Sequence, residues 1–142
     1  MHNVLVPFDG SASAKRAVQY LIDFSSEYPN IQVHILNVQR EPNLYGNYVP
    51  ATMLDDLRKG ALNHAQKVNE EAAGMLKAAG INHQVHEVVG DVVTEVVAAV
   101  KRLDCNTVVM GTRGMGSLGN LVMGSVATRV VHDVPVPVLL VK

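Results

Sequence analysis

Five short apolar runs alternate with amphipathic segments along this chain, and that alternation narrows the fold more than any other feature. The runs are "NVLVPF" (3–8), "IQVHILNV" (31–38), "INHQVHEVV" (81–89), "NTVVMG" (106–111) and "VPVLLVK" (136–142). Their β-branched content and length suit strands. Between the first two, Ala14, Ala17, Val18, Leu21 and Phe24 fall at helical spacing. Ser11 or Ser13 is placed to cap that helix, and "YPN" stops it. A long helix is expected from Ala51 to Ala79, with Leu54, Leu57, Ala61, Ala65, Val68, Ala72 and Leu76 on one face and Gly80 as its stop. Asp91 can cap a third helix over Val92 to Leu103, and a further amphipathic segment precedes the last strand. Strands alternating with helices predict an α/β fold with a mostly parallel sheet. With 142 residues and no repeat or linker, one domain spanning 1–142 is expected.

In such a sheet ligands bind outside the carboxyl ends of the strands, where the strand order reverses. If the first and fourth strands meet there, "PFDGS" and "GTRGMGS" face one another across a crevice. The second of these opens a glycine-rich stretch. Five of the eleven glycines lie between Gly111 and Gly124, although each costs roughly 0.5–1 kcal/mol in a regular element. Gly114-Met115-Gly116-Ser117-Leu118-Gly119 spells a dinucleotide fingerprint. That motif belongs after the first strand, with an acidic residue about 20 positions on, whereas this one follows the fourth strand and leads to "VLLV". A Walker A loop needs Lys and then Ser or Thr after its last glycine, and none is present. Two readings stay open on spacing alone. Gly111, Gly114 and Gly124-Ser125 can form a phosphate cradle of backbone N–H groups ahead of a helix, or the glycines simply permit tight loops and close packing.

Charge favours an anion without favouring a polyanion. Twelve Lys+Arg against thirteen Asp+Glu give a net charge of −1, which offers no general attraction to nucleic acid or anionic membrane. Yet no Asp or Glu occurs from Cys105 to His132, while Arg113 and Arg129 do. Cys105 is the single cysteine and reads as a small buried hydrophobe. The N-terminus lacks a signal-peptide apolar region and no run approaches membrane-spanning length, so the expected location is the cytoplasm.

The pattern G-x2-G-x9-G-S, as Gly111, Gly114, Gly124 and Ser125, resembles the ATP-binding signature of the universal stress proteins. The resemblance extends over the chain, from "VLVPFDGSASAKRAV" through "ILNV" to "VPVPVLLVK". It implies a doubly wound five-stranded parallel sheet of order 3-2-1-4-5 with helices on both faces, and a homodimer. It further implies that Pro7, Phe8 and Asp9 line an adenosine pocket, with Asp9 near the ribose or base and Val38 contacting adenine through its backbone. Met110, Gly111, Arg113, Gly114, Gly124, Ser125 and Val126 would surround the phosphates and ribose. Gly90-Asp91-Val92 departs from the family, in which many members carry Pro after the Gly-x pair. The implied ligand is ATP or another adenine nucleotide, with Mg2+ carried chiefly by the phosphates.

Other constellations are weaker. A phosphoacceptor receiver would use Asp91, Thr112 and Lys142, but it wants paired acids after the first strand, where Asp9 stands alone. His83 and His86 form HxxH, yet in a strand an offset of three puts them on opposite faces. Tyr45 and Tyr48 could cover a nucleotide, greet a partner or anchor their loop. No catalytic set or metal cluster stands out. The expected function is a stress-response or regulatory protein whose nucleotide state sets its conformation or partners; the alternative is a slow ATPase or nucleotide-dependent enzyme of the same fold. The edge strand "VPVLLVK" is expected to pair with its copy in a dimer.

Overall fold

The computed structural model of the chain describes residues 1–42, 49–113 and 123–142. Nine elements alternate among the described residues: β1 (Asn3–Pro7), α1 (Ala12–Ser25), β2 (Gln32–Gln39), α2 (Ala51–Ala78), β3 (Asn82–Val89), α3 (Val92–Arg102), β4 (Thr107–Gly111), α4 (Ser125–Asp133) and β5 (Val138–Val141). The strands make one parallel sheet in the order β3-β2-β1-β4-β5. The order expected from the family resemblance is the order observed.

Strand alternation divides the core into two layers. Val4 and Val6 of β1 face α1 and α2, joining Ala17, Val18, Leu21, Ala72 and Leu76. Leu5 points the other way, with Leu36, Val108 and Met110, against Val93, Val96 and Val100 of α3 and Ala127 and Val130 of α4. Both faces of β1 and β4 are therefore covered, which is why their sequences read as continuous apolar runs.

Helix ends follow the sequence closely. Ser11 caps α1, its side chain accepting from the Ala14 amide at 3.2 Å. Asp91 caps α3, accepting from the Thr94 amide at 3.0 Å and its hydroxyl at 2.7 Å. Gly80 ends α2 in the left-handed region, φ 71°, where a side chain would be strained.

α2 spans nearly the expected residues, but its apolar face is covered only in its second half. Of its seven-residue apolar face, only Ala65, Ala72 and Leu76 are buried, while Leu57 is 39% exposed. At 1.5 Å per residue this helix is about 42 Å long, against roughly 26 Å for an eight-residue strand. Its first turns outrun the sheet, so their apolar stripe finds no strand beneath it. Asn69, an unforeseen polar residue on the packed half, is buried and donates to the His86 carbonyl at 3.0 Å.

Cys105 is buried, as read from the sequence. Burial, helped by the Asp104 charge, pushes its thiol up to about 11, far from thiolate reactivity at neutral pH. Among the described residues, no helix is long and apolar enough to cross a membrane.

Candidate functional site

The strand order reverses at β1, which lies between β2 and β4. The helix after β1 covers one face of the sheet and the helix after β4 covers the other, so the chain parts at their carboxyl ends and a crevice opens.

The β1 side of that crevice is tied to β2. The Phe8 amide donates to the Leu36 carbonyl at 2.9 Å. In return, the buried Asn37 side chain donates to the Phe8 carbonyl at 2.8 Å and accepts from Gln39 at 2.7 Å. The turn into α1 follows. Gly10 adopts φ 81°, and Asp9 Oδ1 accepts from the Ser11 amide at 2.9 Å. Asp9 is thus a turn residue, the simpler role open to it in sequence, and its side chain also borders the crevice.

The β4 side is built by close approach. A Cβ on Gly111 would lie 2.6 Å from the Ser13 carbonyl carbon and 2.8 Å from the Ala14 amide nitrogen. Only a glycine lets the first turn of α1 sit against β4 there. Beyond it, the Thr112 amide donates to the Val141 carbonyl at 3.0 Å, and the Gly124 amide donates to the Thr112 carbonyl at 2.7 Å. Gly124 is the N-cap of α4, and with no side chain it cannot cap that helix. Among the described residues, the positive end of the α4 dipole receives no side-chain cap from its own N-cap position.

These walls enclose a cavity of about 400 Å3. Of the eleven residues expected to surround a ligand, ten line it: Pro7, Phe8, Asp9, Val38, Met110, Gly111, Arg113, Gly124, Ser125 and Val126. Gly114 falls outside the described residues, as do Tyr45 and Tyr48. The charged residues among the described lining are Asp9, Arg40 and Arg113. Two guanidinium groups, and a helix N-terminus whose N-cap residue has no side chain, against one carboxylate make the described lining suited to an anion. Leu36, Val38 and Val92 give another part of the wall an apolar surface.

Arg40, Asn37, Thr112 and Val92 belong to the lining without having been assigned to a ligand from the sequence. A signal for Arg40 was present, since it is the first charge after the second strand. Asn37 looked like one polar residue in an apolar run, and only the strand pairing shows that it holds Phe8.

Asp91 and Lys142 are absent from this lining, so the receiver-like trio is not assembled. Hydrogen bonds from the Thr94 hydroxyl and then its amide hold the Asp91 carboxyl below its ordinary range, aided by Arg129 and Arg40. Arg129 of α4 reaches that carboxylate at 3.8 Å, bridging α3 and α4. His83 and His86 turn to opposite faces as expected. The first donates to the Ile81 carbonyl at 2.8 Å, and the second meets His34 of β2 at 3.1 Å. No group of three or more metal-binding side chains occurs among the described residues.

A family model, the universal stress protein family, matches residues 1–142. A universal stress protein of Thermus aquaticus is 29% identical over 139 residues, which cover 98% of this chain and 97% of the relative. The Bacillus subtilis universal stress protein YxiE is 26% identical over 147 residues, covering 99% of both. Among solved structures, hypothetical protein MJ0577 superposes with a TM-score of 0.84 at 24% identity, over 99% of this chain and 94% of that one. A universal stress protein in complex with cAMP gives 0.72 at 24% identity, over 99% and 97%. An Arabidopsis thaliana family member with AMP bound gives 0.72 at 20%, over 100% and 92%.

Proposed function

The chain belongs to the universal stress protein family, and we propose that it is a regulatory protein that binds an adenine nucleotide, with ATP as the ligand, in the crevice between β1 and β4. The observation that carries this reading is the N-terminus of α4, whose N-cap Gly124 offers no side chain and which shares one cavity with Arg113 and Asp9. Helix N-terminal amides and a guanidinium are the groups a phosphate chain needs. The apolar wall at Leu36, Val38 and Val92 suits the face of a base, and Asp9 can accept from ribose hydroxyls. A cavity of about 400 Å3 is within the usual range for a small-molecule ligand. The cAMP and AMP complexes of the neighbouring structures support adenine nucleotides as the class.

In this reading Pro7, Phe8, Asp9 and Val38 attend the adenosine. Arg113, Gly114, Gly124, Ser125 and Val126 attend the phosphates, with Met110 and Gly111 beneath them. Mg2+ enters on the phosphates, because Asp9 is the one carboxylate on the described lining. A homodimer through β5 and a cytoplasmic location complete the proposal, and the nucleotide sets which partner the protein engages.

Mass analysis of nucleotide released by denaturing freshly purified protein tests the ligand class directly. An adenine nucleotide recovered near one per chain supports the reading. Recovery of a different ligand class from that crevice overturns it.

A further inference from the structure

We infer that Ser13 and Ser11 are positioning residues of this crevice, fixing where the chain leaves β4 and thereby setting affinity for the phosphate part of the ligand. This inference rests on the nucleotide reading above.

The Ser13 hydroxyl donates to the Arg113 carbonyl at 2.5 Å and faces the Arg113 amide at 3.4 Å, from which it accepts. A hydroxyl has one proton and two lone pairs, so one side chain holds both backbone polar groups of one residue. The Ser11 hydroxyl reaches the same carbonyl at 3.3 Å while it accepts from the Ala14 amide at 3.2 Å. Its own amide is held by Asp9 at 2.9 Å. A continuous path of hydrogen bonds therefore runs from Asp9 on the β1 side to Arg113 on the β4 side.

Both serines are deeply placed, Ser13 at 3% exposure and Ser11 at 6%. A buried hydroxyl is retained at a cost unless its bonds are made, and here they are made to one residue of the proposed phosphate wall. Gly111 is what admits Ser13 to that position. The first glycine of the signature thus acts through α1.

Were Ser11 no more than a helix cap and Ser13 no more than a packing residue, their loss would lower stability and weaken every ligand alike. Positioning makes a different demand. In ligand-free protein, Ser13→Ala should speed hydrogen exchange at the Arg113 and Gly124 amides at least tenfold relative to β2 amides. Calorimetry should show ATP binding about tenfold weaker, with adenosine binding within twofold of wild type. Ser11→Ala should act in the same direction, and Ser11→Thr, which keeps cap and donor, should restore ATP affinity. Because these variants disturb different bonds, loss of folding in Ser13→Ala leaves Ser11→Ala to decide. Unchanged exchange at Arg113 and Gly124, or equal losses for ATP and adenosine, overturns the assignment. Wild-type protein that binds no ATP overturns the reading of the site together with this inference, whereas wild-type binding with unaltered variants overturns the serine roles alone.

Discussion

The Gly124 amide donates to the Thr112 carbonyl at 2.7 Å, so the residues flanking 114–122 are joined by a hydrogen bond at the mouth of the crevice. Gly124 has φ −60° and ψ 154°, a conformation open to any residue. Its backbone gives no reason for a glycine. Its place on the cavity wall does, if a bound ligand fills the room that a side chain would take. Gly124→Val should therefore weaken ATP binding tenfold or more. The poorer N-cap costs about 1 kcal/mol, a shift of a few degrees in Tm. Titration and thermal melts on the same preparation separate the two, and equal losses would show that the glycine serves the fold.

Gly111 is predicted to behave in the opposite way. A Cβ there meets backbone atoms of Ser13 and Ala14, which cannot swing aside as a side-chain end could. Overpacking of this kind costs about 1–3 kcal/mol. Gly111→Ala should lower the denaturant midpoint with or without nucleotide. An unchanged midpoint would mean that α1 retreats freely from β4.

Acid should loosen the sheet at β2 and β3. Asn3 donates its amide to the Leu103 and Asp104 carbonyls, leaving its oxygen to accept from His34 Nε2 at 3.1 Å. Neutral His34 then has an unprotonated Nδ1, which accepts from His86 Nε2 at 3.1 Å. With both rings protonated, two N–H groups and two positive charges would face each other across this contact. Burial, then the His86 charge, holds His34 below its ordinary pKa; burial, then Arg102, does the same for His86. The unfolded chain thus binds protons more readily, so stability is full above about pH 6.5 and falls as pH drops toward the folded values. Denaturant midpoints from pH 7.5 to 5 should decline, and His86→Gln should flatten the decline. An unchanged slope in that variant would contradict the pairing.

β5 pairs with β4 alone among the described strands. The carbonyls of Pro137 and Val141 accept from Val108 and Thr112 of the β4 side. Alternation along the strand then turns the polar groups of Val138 and Leu140 outward to the open edge. Leu140→Pro removes one outward N–H and spares the ladder to β4. If β5 pairs with its copy, sedimentation should report a wild-type dimer and a Leu140→Pro monomer. A wild-type monomer at high micromolar concentration would rule out this assembly.

Much of this was legible because local chemistry and fold agree. Ser11, Asp91 and Gly80 mark helix ends with side-chain oxygens or a left-handed turn, and those signals are contained in a few neighbouring residues. The ten lining residues lie at strand ends and at the start of α4, which the resemblance had already brought together. What stayed hidden depends on contacts distant in sequence. Ser13 is 100 positions from Arg113, and His34 is 52 from His86. The exposure of the start of α2 was out of reach for the same reason: periodicity shows which face is apolar, but sheet dimensions decide how much of that face is covered.

Titration of ligand-free protein with ATP and Mg2+, followed by calorimetry and repeated with AMP, adenosine and GTP, tests the central claim most directly. The account predicts saturable binding of about one ATP per chain, tighter than adenosine because of the α4 N-terminus and Arg113, with GTP bound more weakly. Absence of ATP binding down to millimolar affinity would contradict it.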